Sequence, residues 1–380
     1  MNKKATELLK QYGFERIKAA DMIDSYNFED RKLVEIVKAT YFNPKIVVID
    51  ETTTALSQEG REELYKHMER IRKSGNTVIF ISHDLPEIIE KSDTITILRD
   101  GVYIDTVKSK DVNENDLKKL MVGREVTGDY YRSDYGEKIS DEVVLSAKHV
   151  TVPGLIEDVS FDLHKGEILG FGGLSESGMH EIGKAIFGAS YDREGTVELA
   201  DGTQINDIPT AIKHSIAYTS KDRDNESVVL NQSIGDNICL PSLDELSGPA
   251  HLISDKKKKD FANKFAKQMS VKMVDVNQFV SNLSGGNKQK VVLARWIGKD
   301  SDIVVLDSPT RGIDIKVKQD IYQLMNQMRK EGKSIIMISE ELMELIGMCD
   351  RIIIMKDGKI NGELERNQDL NENSLITMMV

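Results

Sequence analysis

The sequence predicts an α/β fold in which helices cover a parallel β-sheet, present as one partial and one complete copy of the same unit. Three observations support this fold class. An apolar strand, an amphipathic helix and a second apolar strand follow one another twice. The two occurrences are alike in sequence, and in the later half a glycine-rich turn joins a short apolar strand to a helix.

The internal repeat is the strongest of these signals. KIVVIDETTTAL at 45–56 aligns with DIVVLDSPTRGI at 302–313, and ISHDLPEIIEKSDTITILRDG at 81–101 aligns with ISEELMELIGMCDRIIIMKDG at 338–358. Both pairs have the same offset of 257 residues, without a gap between them. The two halves of the chain are therefore copies of one unit.

In each copy, a helix is predicted between the two blocks that repeat. Gly75 and Gly332 close these helices, and the apolar runs TVIFIS and SIIMIS that follow them predict buried strands. The apolar positions at helical spacing are Leu64, Met68 and Ile71 in the earlier copy and Ile321, Leu324, Met325 and Met328 in the later one.

The two copies differ in what precedes these blocks. The later copy has about 160 residues before Asp302, counted from Val143, whereas the earlier copy has 44 before Lys45. We expect a first unit at 1–123 that is truncated at its N-terminus, and a complete second unit at 143–380. The polar segment 124–142 lacks a sustained period and is predicted to be a linker.

Composition narrows the class of protein. A net charge of −12 disfavours a sequence-independent grip on nucleic acid, whose phosphates require a basic face. No apolar run approaches the roughly 18 residues that a membrane-spanning helix needs, so a soluble or peripheral protein is expected. The two cysteines cannot form a disulfide framework, which fits a reducing compartment.

The glycine-rich turn has the layout of a phosphate-binding loop. Gly173 and Gly178 occupy the two glycine positions of the pattern GxxxxGK[ST]. Met179 and His180 stand at the Lys and Ser/Thr positions, and Glu176 adds a negative charge to the loop. Two interpretations stay open, because backbone N–H groups can still attract an anion, or the loop keeps only its turn.

A second glycine pair begins a helix in SNLSGGNKQKVVLARWI at 281–297. Ser284, Gly285 and Gly286 would direct a hydroxyl and unpaired backbone N–H groups outward from the helix N-terminus. This stretch resembles the LSGGQ signature of the ABC transporter ATPases, with Asn287 in place of the glutamine. The resemblance implies a P-loop NTPase-like ABC ATPase fold that binds ATP and Mg²⁺.

The resemblance also assigns roles at the end of each repeated strand. Asp50 and Asp307 match the carboxylates that hold Mg²⁺ through water. Glu51 matches the residue that activates the attacking water, and His83 matches the histidine that contacts the γ-phosphate.

The later copy departs from the family pattern at the last two positions. Ser308 stands at the position of Glu51, and Glu340 stands at the position of His83. In TSKDR, Lys221 replaces a residue that is usually acidic. In the earlier copy the segment aligned with the signature, YNFED at 26–30, has lost both the serine and the glycines.

ABC ATPase domains pair head to tail, which sorts these residues into two composite sites. One site would combine Glu51 and His83 with Ser284, and its phosphate-binding loop is missing from the first unit. The opposite site would combine the degenerate 26–30 segment with Met179, His180, Ser308 and Glu340. Hydrolysis there is not expected.

Several further segments look like the ATPase subunits of ribose-, galactose- and xylose-type importers. They are FDLHKGEILGFGGL, AYTSKDRDNESVVL, LSGGNKQKVVLARW, DSPTRGIDIKVKQDIYQLMNQ, GMCDRIIIMKDGKINGEL and KLMVGREV. Such subunits lie on the cytoplasmic face of the bacterial membrane, dock on two permease subunits and act indirectly with an extracellular sugar-binding protein. Nothing in the sequence names the sugar.

The resemblance therefore predicts an energy-coupling ATP-binding subunit of a carbohydrate importer, with little ATP hydrolysis by this chain alone. A partner that supplies the missing first phosphate-binding loop could restore a working site. The alternative is a non-catalytic, ABC-like regulatory or scaffold subunit. A soluble ABC protein acting on ribosomes is disfavoured by the acidic charge.

Overall fold

The computed structural model divides the chain into two compact units, Met1–Thr127 and Gly128–Val380. The described residues are 2–26, 28–50, 52–53, 56, 58–82, 84–99, 102–122, 130–135, 138–174, 176–248, 252–313 and 315–379. Glu51 and His83, both predicted site residues, lie outside them.

The first unit contains helices on two small sheets. Its helices and strands are α1 (Asn2–Gln11), α2 (Phe28–Thr40), β1 (Ile46–Asp50), α3 (Gln58–Lys73), β2 (Thr77–Ile81), α4 (Leu85–Lys91), β3 (Thr94–Arg99), β4 (Val102–Lys108) and α5 (Glu114–Val122). Within the described residues, β1 pairs with β2 in parallel and β3 pairs with β4 in antiparallel fashion.

The core of the first unit lies on one side of β1 and β2. Val47 and Ile49 point into it and pack with Leu33 and Leu64 from the helices. Because side chains alternate along a strand, every second residue of β1 faces away from this core. This arrangement agrees with the partial parallel sheet that the sequence predicts.

The second unit is larger and continuous. Its elements are β5 (Val143–Val152), β6 (Ile156–His164), β7 (Ile168–Gly173), α6 (Met179–Ile186), β8 (Glu194–Leu199), α7 (Ile208–Lys213), β9 (Ile216–Thr219), α8 (Ile234–Cys239), α9 (Leu243–Leu246), α10 (Asp255–Gln268), α11 (Gly285–Lys299), β10 (Ile303–Asp307), α12 (Ile315–Lys330), β11 (Ser334–Ile338), α13 (Leu342–Met348), β12 (Arg351–Lys356), β13 (Lys359–Glu365) and α14 (Glu372–Met379).

A mixed sheet forms the centre of the second unit. Its strand order is β13-β12-β7-β11-β10-β9, in which only the edge strand β13 runs antiparallel to its neighbour. The strands β7, β10 and β11 are buried along their whole length, as expected where helices cover both faces of a parallel sheet. A separate antiparallel sheet has the order β6-β5-β8.

The helices α8 to α11 form a helical insertion between β9 and β10. Ser233 begins α8 with a capping box, and its backbone N–H and side chain are both engaged with Asp236. Ala262 of α10 and Val292 of α11 are fully buried in this region. The insertion ends in the helix that carries the signature sequence.

The repeat is also visible in a buried hydrogen-bond cluster around one glutamate. Glu344 on α13 accepts hydrogen bonds from Thr310, Tyr322 and Ser339 at 2.5, 2.5 and 2.9 Å. In the first unit Glu87 on α4 is bonded in the same way. Its partners are Thr53 at 3.0 Å, Ser82 at 2.7 Å and Tyr65. Each of these residues precedes its counterpart by 257 positions.

Part of the segment predicted as a linker packs against the second unit. Arg132 is buried and its guanidinium donates to Asp350 at 2.7 Å and to the Met348 carbonyl at 2.8 Å. Tyr131 packs on Tyr322, with ring centroids 5.3 Å apart. Residues 130–135 therefore belong to the second unit rather than to a free connection.

Among the described helices, none combines the length and the apolar character needed to cross a bilayer.

Candidate nucleotide-binding site

The carboxyl end of β10 is where the sequence places a metal-binding carboxylate. Asp307 is buried there, and its Oδ1 lies 2.7 Å from Nδ1 of His180 at the start of α6. The hydroxyl of Tyr218 reaches the other oxygen at 3.5 Å. One carboxylate oxygen of Asp307 is therefore bonded to the imidazole of His180.

The outer nitrogen of the same imidazole meets a second carboxylate. Nε2 of His180 lies 3.3 Å from Oε1 of Glu340, and Lys221 Nζ lies 2.8 Å from that oxygen. Burial by itself would lower the pKa of His180, but the hydrogen bonds to Asp307 and Glu340 outweigh burial and raise the pKa. The imidazole thus lies between two carboxylates, and the Lys221 ammonium, which lowers the pKa, is 3.1 Å from its outer nitrogen.

Ser308 completes this cluster at the position where the family carries a glutamate. Its Oγ donates to Asp307 at 3.2 Å, and its backbone N–H donates to the Ile338 carbonyl at 2.8 Å. The residue has φ of 49°, a left-handed conformation that is uncommon outside glycine. A serine hydroxyl at this point supports the buried carboxylate and has no base character near neutral pH.

The loop between β7 and α6 is closed around its own side chains. A Cβ atom on Gly173 would lie 2.2 Å from Ser177 Oγ, and Gly178 has φ of 90°. The Ser177 N–H donates to the Leu174 carbonyl at 2.9 Å, so one amide of the loop is already used. Both glycines predicted as nucleotide-binding are required by the turn itself.

These residues do not fit a bound magnesium nucleotide in the second unit. Met179, at the lysine position, is fully buried and offers no charge to a phosphate. His180 stands where a hydroxyl would hold Mg²⁺, and its Nδ1 is already bonded to Asp307, the predicted metal-binding carboxylate. Lys221 lies against Glu340 at 2.8 Å.

The signature residues have a different environment. Ser284 is exposed at the N-cap position of α11, and its Oγ accepts a hydrogen bond from Asn287 Nδ2 at 2.9 Å. A Cβ atom on Gly285 would lie 3.2 Å from Arg223 Nη2, so the guanidinium lies close to the first residue of the helix. Together with Gly286, these residues begin a helix of 15 residues whose N-terminus faces outward.

In the first unit, Asp50 ends β1 and is exposed, unlike its buried counterpart Asp307. An exposed carboxylate fits a cation held through water. Of the degenerate signature segment, Asn27 lies outside the described residues, and Asp30 is paired with Arg16 at 2.7 Å.

Sequence reasoning missed the roles of three groups. His180 and Lys221 were noted only as departures from a pattern, whereas the structure brings them together with Asp307 and Glu340. The glutamate cluster was also missed. The sequence pattern that could have revealed this cluster is the spacing from serine to glutamate, which is the same in ISHDLPE and ISEELME.

Comparisons with known proteins identify the class. Residues 156–311 match the model of the ABC transporter family. The dimeric structure of a bacterial ABC transporter cassette aligns with a TM-score of 0.52 at 22% identity, covering 59% of this chain and 99% of the cassette. This likeness supports the fold.

Two curated relatives give a closer match in sequence. A ribose import ATP-binding protein of Lactococcus lactis is 41% identical over 341 residues, covering 90% of this chain and 68% of the relative. A xylose import ATP-binding protein of Thermoanaerobacter pseudethanolicus is 43% identical over 339 residues, covering 87% of this chain and 66% of the relative.

The fold, the signature helix and these matches together define a protein of the ABC transporter family. Within that family the chain belongs to the sugar-import ATP-binding proteins.

Proposed function

We propose that the chain is an energy-coupling ATP-binding subunit of a carbohydrate importer, working from the cytoplasmic face of the membrane. It would dock on permease subunits and act indirectly with an extracellular sugar-binding protein. Membership in a family whose relatives import ribose or xylose supports this role. Which sugar is carried is not encoded in the residues of this subunit.

The observation that carries the proposal is the contrast between the two carboxylates that end the repeated strands. Asp307 is buried and bonded to His180, whereas Asp50 is exposed. The bond to His180 at 2.7 Å supports a second unit that does not hold the cation through Asp307. Nucleotide chemistry is therefore proposed for the site that contains Asp50.

In this proposal Glu51 activates water, His83 contacts the terminal phosphate, and Ser284, Gly285 and Gly286 supply the signature from a second unit. ATP with Mg²⁺ provides the transferable phosphoryl group. Asp50 would hold the cation, and the exposed Ser284 hydroxyl and the amides of α11 would bind phosphate oxygens. A phosphate-binding loop from a partner completes the site.

The test is Mg²⁺-dependent phosphate release by the chain mixed with a fragment that carries a GxxxxGK[ST] loop. We expect Glu51→Gln to lower the rate by about 10²- to 10⁴-fold, because it removes the general base. Ser308→Ala, at the corresponding position of the other copy, should leave the rate unchanged. Equal losses in both variants would refute the assignment.

A non-catalytic regulatory or scaffold role is the second candidate. It is favoured by the cluster of His180, Lys221, Asp307 and Glu340, whose side chains bond to one another where a nucleotide and its cation would bind. Binding to permease subunits without phosphate release, even in the presence of the loop-bearing fragment, would support this alternative.

A further inference from the structure

The second unit contains a cavity between the helical insertion and α12. Its volume is about 480 Å³, which is within the range of small-molecule sites. Its walls come from α10, from the C-terminal end of α11 with the loop that follows it, and from α12. Among the described residues that were assigned above to the nucleotide site, none lines this cavity.

One wall of the cavity is aromatic. Phe261 and Phe265 of α10 lie with their ring centroids 4.7 Å apart, and Trp296 of α11 also lines the cavity. The two phenyl rings rest on the backbone of α11 at Gly298, where a Cβ atom would lie 2.8 Å from Phe261 Cζ. Aromatic rings favour offset or edge-to-face contacts with another ring, so this wall suits a flat aromatic group.

Two polar atoms in the wall are buried without a hydrogen-bond partner among the described residues. They are Trp296 Nε1 and Ser301 Oγ, which belong to residues that are 7% and 2% exposed. A buried indole N–H or hydroxyl ordinarily has a hydrogen-bond partner. The wall therefore offers hydrogen bonds to an occupant that carries an oxygen acceptor.

The internal repeat extends to the helices around this cavity. The helices α3 and α12 span 58–73 and 315–330, which correspond at the offset of 257 residues. The last residues of α1 and α10, Gln11 and Gln268, have the same offset, and so have the first residues of α2 and α11. The first unit therefore supplies a counterpart for each helix of the cavity wall.

The first unit carries a ring at the position where Leu324 lines the cavity. Its counterpart, His67, is 2% exposed and lies against Tyr12, with ring centroids 4.8 Å apart. The ring of Phe14 meets the same imidazole edge-on at 5.6 Å. An aliphatic side chain of the second unit thus stands where the first unit packs an imidazole against two aromatic rings.

A second ring of the first unit corresponds to Gly298. The residue at that position is Tyr41, and the Lys4 ammonium lies 5.2 Å from the centroid of its ring. Glycine has no side chain, so the second unit has no ring where the first unit places a phenol beside a cation. The cavity is therefore lined at two positions by residues that replace aromatic rings.

We propose that this cavity binds a small molecule that consists of a flat aromatic ring system with an oxygen acceptor, of which a phenol is the simplest kind. The ring would pack against Phe265 and Trp296 in place of the rings that the first unit supplies itself. The oxygen would accept a hydrogen bond from Trp296 Nε1 or from the Ser301 hydroxyl. Because α10 and α11 belong to the helical insertion and α12 covers the sheet, the occupant would link these two parts of the unit.

The test uses 2-naphthol as the probe and the isotope-labelled 380-residue chain at neutral pH. Trp296 is the sole tryptophan, so its indole N–H gives a single indole signal in a nitrogen–proton correlation spectrum. We expect 2-naphthol to move this signal saturably with a Kd below about 1 mM, because the ring and its oxygen change the surroundings of the indole. The saturated analogue 2-decalol keeps the hydroxyl without the flat ring, and should bind at least about tenfold more weakly.

Variants that carry the residues of the first unit locate the binding. Phe261→Lys, Gly298→Tyr and Leu324→His together should weaken binding at least about tenfold, because they restore the rings of the first unit. Leu324→His alone leaves the phenyl wall in place and should also weaken binding, which keeps the test available if the triple variant does not fold. Leu252→His is the matched control, because Leu252 is 74% exposed and does not line the cavity.

Absence of saturable movement of the indole signal up to the solubility limit of 2-naphthol would overturn the proposal. Equal binding by the folded Leu324→His variant would also overturn it, since the probe would then lie elsewhere. Equal binding of 2-decalol would contradict a site for a flat ring. No nucleotide is present, so failure of the proposed ATPase activity leaves this inference standing.

Discussion

At the residue scale, the buried carboxylate that ends β10 is bonded to a histidine of its own unit. The His180 Nδ1 lies 2.7 Å from Asp307, and the Lys221 ammonium lies 2.8 Å from Glu340 at the rim. Buried carboxylates are costly unless paired and hydrogen-bonded, so this cluster keeps the end of β10 stable without metal.

This assignment predicts unequal costs for two substitutions. His180→Ala should lower the free energy of unfolding of the second unit by about 3 to 5 kcal/mol, because the buried Asp307 carboxylate loses the imidazole to which it is bonded. Lys221→Ala removes a partly exposed pair and should cost below about 1 kcal/mol. Urea unfolding followed by Trp296 fluorescence measures both, since Trp296 is the sole tryptophan and is buried in this unit.

A double variant provides the control. Adding Asp307→Ala to His180→Ala should recover much of the loss, because the unpaired charge is removed as well. Losses that simply add would indicate that the two side chains do not interact.

At the element scale, a buried glutamate holds the helix that follows β2 in the first unit and the helix that follows β11 in the second. Glu344 ties α13 to the strand and helix before it through three hydroxyl groups, and Glu87 does the same for α4. The duplicated cluster shows that the repeat preserves buried polar contacts as well as apolar pattern.

The two glutamates therefore allow a paired experiment. Glu344→Ala leaves three buried hydroxyls without an acceptor and should destabilise the second unit by about 3 kcal/mol or more. Glu87→Ala should leave the Trp296 transition unchanged, because its cluster is in the other unit. If Glu87→Ala shifted the Trp296 transition, the two glutamate clusters would not stabilise their units independently.

The segment before β5 has its own test. Arg132→Ala removes donors to Asp350 and to the Met348 carbonyl inside the second unit. We expect a loss of about 2 to 4 kcal/mol, reduced by the hydrogen bond that Ile168 N–H still donates to Asp350. A loss below about 0.5 kcal/mol would show that residues 130–135 are a free linker after all.

Much of the fold could be predicted from the sequence because apolar periodicity and the repeat are local signals. The strands after Gly75 and Gly332 and the signature helix after Ser284 lie where the pattern places them. The link between His180 and Asp307 could not be predicted in this way. It joins residues far apart in the chain, and only the neighbouring positions of β7 and β10 across β11 bring them together.

At the scale of the whole molecule, the two units contribute different things. The second has a carboxylate cluster bonded to its own histidine and lysine and an exposed serine at the N-cap of the signature helix. The first has an exposed Asp50 and exposed aliphatic side chains on β1 and β2. The aspartates that end the two repeated strands therefore lie in different environments.

The most direct test of this account is a calorimetric titration of Mg-ATP into the 380-residue chain by itself. We predict no saturable binding up to about 1 mM nucleotide, because the only glycine-rich loop of the described residues adjoins an internal ion pair. Saturable binding of one nucleotide per chain, lost in an Asp307→Asn variant, would contradict the account.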